Sequence, residues 1–135
     1  MTGWPSLTAE CLTRSMDIEI KRVYENPSPD DGYRALVDRL WPRGESKVRA
    51  ELDEWCKDVA PSTELRKWFN HQEELFDEFT RRYVAELEAS TEPAALLKRA
   101  EASGKKKLTL VYGAKDQKDN QAVVLRDYLN QLQSR

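Results

Sequence analysis

Two arginines, an aspartate and a tryptophan lie together in one short stretch of the chain. Residues 38–44 read Asp-Arg-Leu-Trp-Pro-Arg-Gly and follow the apolar run Ala35–Val37. A guanidinium binds a carboxylate or phosphate through a planar fork, and an indole offers an aromatic surface. We therefore predict that a buried strand ends here in an anion-binding loop. A purely structural role fits the same residues, with Asp38 pairing with Arg39 or Lys115 and Trp41 filling the core.

A second charged loop follows another apolar run. Residues 112–116 read Tyr-Gly-Ala-Lys-Asp, directly after Leu108–Val111. If the two strands are parallel neighbours, both loops lie at the edge where open α/β sheets bind ligands, and the following helices point their N-termini at it. We expect Arg39, Arg43 and Lys115 to hold an anion. The other predicted roles are hydrogen bonding by Asp38 and Asp116, stacking by Trp41 or Tyr112, and contacts from Arg66 and His71 if their helix closes over the edge.

The sequence does not identify a catalytic group. His71 is the only histidine and the most natural general base near neutral pH, but at a helix end it equally suits carbonyl capping. Cys56 is expected to be a buried thiol, and nothing in the spacing supports a triad of His71, Cys56 and an aspartate. One histidine and two separated cysteines make a poor metal-ligand set, and no glycine-rich phosphate loop is present. We therefore predict no metal and leave the catalytic residues and the cofactor unassigned.

The composition narrows the classes of partner. The chain has 135 residues, a net charge of −2 and 34% charged residues, which indicates one soluble domain and argues against extensive coating of nucleic acid. Lys105–Lys107 can be a nucleic-acid patch or a solvated strand entrance, so a nucleic-acid partner is the second choice after a small anion. No apolar run approaches the roughly 20 residues of a membrane span. The cysteine usage favours a reduced, cytoplasmic protein, and the oligomeric state is left open.

Apolar periodicity predicts an alternation of strands and helices. We expect strands at Ile18–Tyr24, Tyr33–Leu40 and Leu108–Tyr112, with the first two joined as a hairpin or lying parallel. Helices are predicted at about 46–59, 62–71, 72–89, 91–102 and 119–133, with Asp119 as the N-cap of the last one. The predicted fold is a single α/β domain with a small, mostly parallel sheet flanked by helices in a three-layer arrangement.

Residues 1–16 differ from the rest of the chain. They contain a glycine, a proline and scattered hydroxyl residues without a sustained period. We expect a poorly ordered extension before an α/β domain at 17–135, with Met16 as an alternative start of the chain. Docking of Trp4, Leu7 and Leu12 on the domain is the other interpretation.

Several motifs together resemble one protein family. They are Arg22–Glu25, Asp31–Arg34, Val37–Gly44, Trp55, Ala60–Ser62, Leu65–Phe69 and Tyr112–Asp116. This set resembles the YeaO-like branch of the DUF488 family over about residues 17–130, and the Asp-Arg-Leu-Trp-Pro-Arg-Gly run is the most specific part.

The resemblance implies a small α/β domain, a site formed by the two charged loops, and no established function. Longer relatives in the wider family often have a Cys-His-Arg run just after the second loop, where this chain reads Asn120-Gln121-Ala122. Thiol or imidazole chemistry is therefore not carried over to this position. The arginines and the lysine of an anion-binding cleft remain.

Overall fold

The computed structural model describes residues 16–70, 72–114 and 120–134, which form one parallel sheet and five helices. The strands are β1 (Asp17–Arg22), β2 (Tyr33–Leu36), β3 (Glu54–Trp55) and β4 (Lys107–Tyr112). The helices are α1 (Lys47–Ala50), α2 (Thr63–Phe69), α3 (Phe76–Glu88), α4 (Glu92–Ala102) and α5 (Gln121–Ser134), with 3₁₀ turns at Pro29–Asp31, Lys57–Val59 and Glu73–Leu75. The predicted single-domain α/β fold is confirmed. Residues 1–15, where the extension is predicted, lie outside the described part.

The strand order is β1-β4-β2-β3, and every pairing is parallel. In β4, Leu108 lies between Ile18 of β1 and Tyr33 of β2. The first two strands are therefore parallel and separated by β4, which excludes the hairpin interpretation. Because all four strands point the same way, the loops that follow β2 and β4 lie at one edge of the sheet.

A short, tightly capped link carries the chain from β1 to β2. Ser28 Oγ accepts from the Asp30 amide, and the Asp31 carboxylate accepts from the Ser28 amide at 3.0 Å, so the 3₁₀ turn has a capping box. Gly32 follows with φ of 68°, and a Cβ there would lie 2.2 Å from the carbonyl oxygen of Lys107. A glycine is therefore required for the link to pass the start of β4.

The link also supplies the carboxylate of a buried charge cluster. Asp31 lies 2.6 Å from Arg34 Nη1 and 3.1 Å from Lys21 Nζ. The other guanidinium nitrogens of Arg34 donate to the carbonyl of Ala50, with Nε also shared with Glu51. Burial pushes the pKa of Asp31 up, but bonds from the Ser28 amide, Lys21 and Arg34 outweigh it, so the pKa is lowered.

The two faces of the sheet carry unequal cores. Every second residue of β4 belongs to the larger core: Leu108, Leu110 and Tyr112 pack against side chains of α2 to α5. The opposite face holds a small cluster of Val23, Leu36, Ala50 and Val111, with Trp41, Leu52 and Trp55 packed against it. The polar residues Arg34 and Thr109 continue this second face.

The predicted helix at 46–59 is wrong. A one-turn helix capped by Ser46 ends at Glu51, which has φ of 47°, and the chain then adds β3 to the edge of β2. Val48, the first residue of the predicted apolar face, is 87% exposed. Trp55 instead pairs with Leu36, so tertiary pairing overrides the helical period.

The other helices agree with the sequence expectations. Ser62 caps α2 by accepting from the Leu65 amide at 3.2 Å. At α5, Asn120 Oδ1 accepts from the amides of Ala122 and Val123. Asp119, the predicted N-cap, lies outside the described residues. In the described ranges no helix combines the length and apolarity needed to cross a membrane.

Strand β1 forms one edge of the sheet, and side chains cap both of its ends. The Asp17 amide donates to the carbonyl of Lys106, directly before β4, and the Val23 amide donates to that of Tyr112, so the even-numbered residues of β1 direct their backbone groups outward. At Met16, the Gln133 side-chain amide bonds both the N–H and the carbonyl. At Arg22, the backbone N–H donates to the Glu25 carboxylate, and the backbone carbonyl accepts from the Glu25 amide.

Candidate functional site

Asp38 joins the two loops that the sequence places at the carboxyl edge of the sheet. Its Oδ2 accepts from the Gly113 amide at 2.8 Å, and its Oδ1 accepts from the Gln121 side chain at the start of α5. A Cβ on Gly113 would lie 3.1 Å from Asp38 Oδ2, so a glycine suits this close approach. On the other side of the second loop, Arg22 Nε donates to the Ala114 carbonyl at 2.9 Å. The loops after β2 and β4 are thus fixed against each other.

Arg39 has a structural contact. Its Nε donates to the Pro61 carbonyl at 3.0 Å, and its Nη2 donates to the Ala60 carbonyl at 3.2 Å. These two carbonyls lie directly before the capping residue of α2. Arg39 is absent from the residues that line the cleft described below. The guanidinium that the sequence assigned to anion binding therefore positions α2 against the first loop.

The two tryptophans hold the backbone of the first loop. Trp55 Nε1 donates to the Asp38 carbonyl at 2.7 Å, and Trp41 Nε1 donates to the Glu45 carbonyl at 2.7 Å. Their rings meet edge to face with centroids 5.2 Å apart. Trp41 is half-buried and lines the cleft, so it both packs against the small core and contributes to the candidate site.

Arg43 extends from this anchored loop into solvent. The Tyr24 hydroxyl donates to the Arg43 carbonyl at 2.9 Å, and the preceding Pro42 is buried. Gly44 follows with φ of 78° and turns the chain toward α1. The Arg43 side chain is exposed, while the backbone that carries it is tied down on both sides. A ligand that binds the Arg43 side chain would therefore need to order little additional backbone.

Glu45 is an unusual buried acid in the same loop. Its side chain is 1% exposed, and neither carboxylate oxygen has a hydrogen bond. Arg49 Nε lies 3.5 Å from Oε1, a charge contact that does not meet hydrogen-bond geometry. The carboxylate therefore gains little from its surroundings, in contrast to the fully bonded Asp31.

Arg66 reaches the same edge from α2. It is half-buried and lines the cleft opposite the first loop. In the ranges 16–70, 72–114 and 120–134, Arg43 and Arg66 are the arginines without an ion pair or hydrogen bond from the guanidinium. The other arginines are bonded to carbonyls or acids; they are Arg22, Arg34, Arg39, Arg49, Arg81, Arg82, Arg99 and Arg126. Both of these arginines are among the residues that line one cavity.

The cleft between the loops and α2 has a volume of about 280 Å³. Phe69 and Phe79 line it although they are 6% and 2% exposed, and their rings stack with centroids 4.3 Å apart. The remaining lining combines loop residues, the two arginines and the start of α5: Tyr24, Asp38, Leu40, Trp41, Pro42, Arg43, Pro61, Arg66, Gly113, Ala114, Asn120 and Gln121. The cleft thus joins an apolar wall to two cationic groups.

Sequence reasoning missed several of these residues. Tyr24 ends the first predicted strand, and its position beside a proline-rich turn was a usable signal of a strand end at this edge. Phe69 and Phe79 read only as core residues of amphipathic helices. Gln121 carried no signal, because its contact with Asp38 joins residues 83 positions apart.

Of the remaining sequence candidates, the structure describes only Tyr112. Tyr112 is 2% exposed and belongs to the larger core, so its ring is packed among core side chains. His71, Lys115 and Asp116 lie outside the described residues. No group of three histidine, cysteine, aspartate or glutamate side chains suited to a metal ion occurs in the part of the chain that the structure covers.

Cys56 belongs to a separate cluster at the β3 edge. The thiol is 5% exposed, and burial, reinforced by the nearby Glu54 carboxylate, raises its pKa to about 12. Glu54 accepts from the Tyr33 hydroxyl at 2.6 Å and pairs with Arg99 at 2.9 Å. Burial and the Glu54 carboxylate raise the pKa of Tyr33 to about 12. The Cys56 thiol and the Tyr33 phenol are thus held in their protonated forms, which fits a structural cluster better than a nucleophilic one.

Comparisons with known proteins place the chain among uncharacterised relatives. The family model that matches residues 17–135 is described as the inactive DUF488-N3 subclade. The chain is 46% identical over 117 residues to the uncharacterised protein YeaO of Escherichia coli K12, covering 87% of this chain and all of that protein. It is 44% identical over 119 residues to the uncharacterised protein Rv3073c of Mycobacterium tuberculosis H37Rv, covering 88% of this chain and 98% of that protein. No solved structure matches it significantly.

Proposed function

Since the chain belongs to the DUF488 family, we propose that it is a binding protein for a small phosphorylated or carboxylated ligand, held in the cleft at the carboxyl edge of the sheet. The observation that carries the proposal is the pair of uncommitted guanidiniums, Arg43 and Arg66, on two walls of one cavity. Guanidinium groups in partly dry clefts attract carboxylates and phosphates through bidentate bonds.

The anchoring of the first loop supports this role. Trp41, Trp55, Tyr24 and Asp38 each contribute a hydrogen bond that fixes the loop, yet Arg43 itself takes part in none of them through its side chain. Ligand sites in open α/β proteins are typically formed by rigid loops at the carboxyl edge of the parallel sheet. This loop is rigid, lies at that edge and carries an exposed cation.

The residues that replace the relatives' Cys-His-Arg run support binding without covalent chemistry. Asn120 caps α5, and Gln121 donates to Asp38. Both side chains therefore organise the cleft instead of supplying a nucleophile. The description of the matching subclade as inactive is in line with this role.

A nucleic-acid surface that combines the cleft with Lys105–Lys107 has less support. Lys105–Lys107 lie at the start of β4, whereas the cleft lies beyond its other end, a separation of roughly 20 Å for six residues of strand. Lys105 and Lys107 also pair with Asp53 and Glu19. The lysines and the cleft arginines therefore do not form one continuous basic surface.

A thermal-shift screen of nucleotides, sugar phosphates and carboxylates tests the proposal. A ligand at 100 times its Kd stabilises the folded state by about 2.7 kcal/mol, which raises the midpoint by roughly 8 °C in a domain of this size. We expect one anion class to shift the wild type but neither Arg43→Ala nor Arg66→Ala. The matched control Arg126→Ala, at a half-buried arginine of α5 that does not line the cleft, should keep the full shift.

Two results would count against the proposal. If no anion raises the midpoint of the wild type, the cleft is not an anion site. If an anion stabilises both cleft variants as strongly as the wild type, binding occurs elsewhere on the protein.

A further inference from the structure

The polar groups of the cleft, apart from the two arginines, are largely committed within the protein. Asp38 accepts from Gly113 and Gln121, so its oxygens already have donors. The Asn120 amide oxygen caps α5, and the Tyr24 hydroxyl donates to the Arg43 carbonyl. A ligand therefore meets few vacant partners among the described residues except the guanidiniums.

Six further lining residues have largely apolar side chains. They are aromatic residues, prolines and a leucine: Leu40, Trp41, Pro42, Pro61, Phe69 and Phe79. The indole N–H of Trp41 is used by the Glu45 carbonyl, so this residue also presents mainly carbon to the cavity. The stacked Phe69 and Phe79 rings are fixed by the core behind them. An apolar ligand body would contact preformed surface here.

The size of the cleft limits the ligand. Its 280 Å³ lies just below the range of about 300–1,000 Å³ that holds drug-sized ligands, and it equals the liquid volume of roughly nine water molecules. A single ring with one acidic group fits this space. A dinucleotide or a peptide does not.

We infer that the cleft selects an organic acid with one anionic head group and an apolar body of about one ring, and that it disfavours nucleotides and sugar phosphates. This inference rests on the proposed function and names its ligand class. The acid would bind Arg43 and Arg66, and its body would pack on the aromatic wall. The hydroxyls of a sugar would instead meet side chains that are apolar or already hydrogen-bonded, and would lose hydrogen bonds with water.

Isothermal titration calorimetry with matched probes tests the selectivity. Phenyl phosphate and benzoate carry both an anionic head group and a ring. Inorganic phosphate and acetate carry the head group alone, and benzamide carries an uncharged ring. Adenosine monophosphate carries a phosphate on a polar body. We expect each ring-bearing acid to bind the wild type at least tenfold more tightly than its bare head group. Benzamide and the nucleotide should bind no more tightly than inorganic phosphate.

Variants test separately how the arginines bind the anionic head group and how the apolar lining binds the ring. Arg43→Gln and Arg66→Gln should each weaken phenyl phosphate binding tenfold or more, while Arg126→Gln should leave it unchanged. Leu40→Ser, at an exposed position, should weaken phenyl phosphate severalfold but leave inorganic phosphate unaffected, because it removes only apolar contact.

The outcomes separate this inference from the proposed function. If the nucleotide, or inorganic phosphate, binds as tightly as phenyl phosphate and still depends on Arg43 and Arg66, the apolar-body inference is overturned while the anion site stands. If none of the acids binds, or if binding ignores both arginine variants, the proposed function and this inference fail together.

Discussion

Arginine is fully bonded at the amino end of the parallel sheet, whereas at the carboxyl end two guanidiniums face a cavity without a partner. Arg34 is 4% exposed, and each of its three side-chain nitrogens donates to Asp31 or to backbone carbonyls. Arg43 and Arg66 line the cleft, and their guanidiniums have no hydrogen bond or ion pair among the described residues. The difference separates residues that hold the fold from residues left for a ligand. Charge alone does not distinguish them.

The largest expected effect is at the bonded end. Asp31→Asn leaves Arg34 buried without its counter-charge and should lower the free energy of unfolding by about 3–5 kcal/mol. The matched control is Glu45→Gln, because both acids are 8% exposed but Glu45 has no hydrogen bonds. It should cost less than about 1 kcal/mol, since little favourable interaction is lost. Urea unfolding measures both, and equal losses would contradict the comparison.

A second test uses two arginines four residues apart. Arg39→Ala removes two bonds to the carbonyls before α2 and should cost about 1–3 kcal/mol of unfolding free energy. Arg43→Ala removes no such bond and should change stability by less than about 0.5 kcal/mol. Chemical denaturation of the two variants gives the difference. A large loss in Arg43→Ala would show that this arginine is structural after all.

Acid pH should weaken the bonded clusters before complete unfolding. The pKa of Asp31 is lowered from 3.8, and that of Glu54 from 4.5, the latter by Arg99 and Tyr33 against the opposing effect of burial. Each depressed pKa stabilises the fold above the unfolded value and loses that contribution as pH falls through the folded value. Unfolding free energy should therefore decline from about pH 5 downward, with a shallower slope in Asp31→Asn. An unchanged slope in that variant would remove Asp31 as a source of the pH dependence.

The smallest effect is expected for the exposed lysines. Lys105 is 44% exposed and 3.3 Å from Asp53, so Lys105→Ala should cost less than about 1 kcal/mol. Anion binding in the cleft should stay the same, because the lysines lie beyond the opposite end of β4. Parallel thermal-shift titrations of wild type and variant check this, and a weaker anion shift in the variant would mean that the lysines contribute to the site.

The sequence predicts the framework better than the partners of individual side chains. Apolar runs that end in charged loops predict β2 and β4, although β2 ends at Leu36 and not at the predicted Leu40, and Ser62 marks the start of α2. The segment after Gly44 is predicted wrongly because Trp55 pairs with β2, a contact that spacing along the chain cannot reveal. Arg39 and Arg43 look equivalent in sequence for the same reason, since only the folded position of Pro61 decides which guanidinium is bonded.

The capping of β1 has a consequence for how copies of this chain meet. An exposed edge strand invites a neighbouring molecule to add a strand and extend the sheet. Here the side-chain amide of Gln133 is hydrogen-bonded to both the N–H and the carbonyl of Met16. Glu25 is hydrogen-bonded to both the N–H and the carbonyl of Arg22. A guest strand would find only Ile18 and Ile20 between the caps, too short a register to hold it. Gln133 and Glu25 thus make the β1 edge a poor template for another strand.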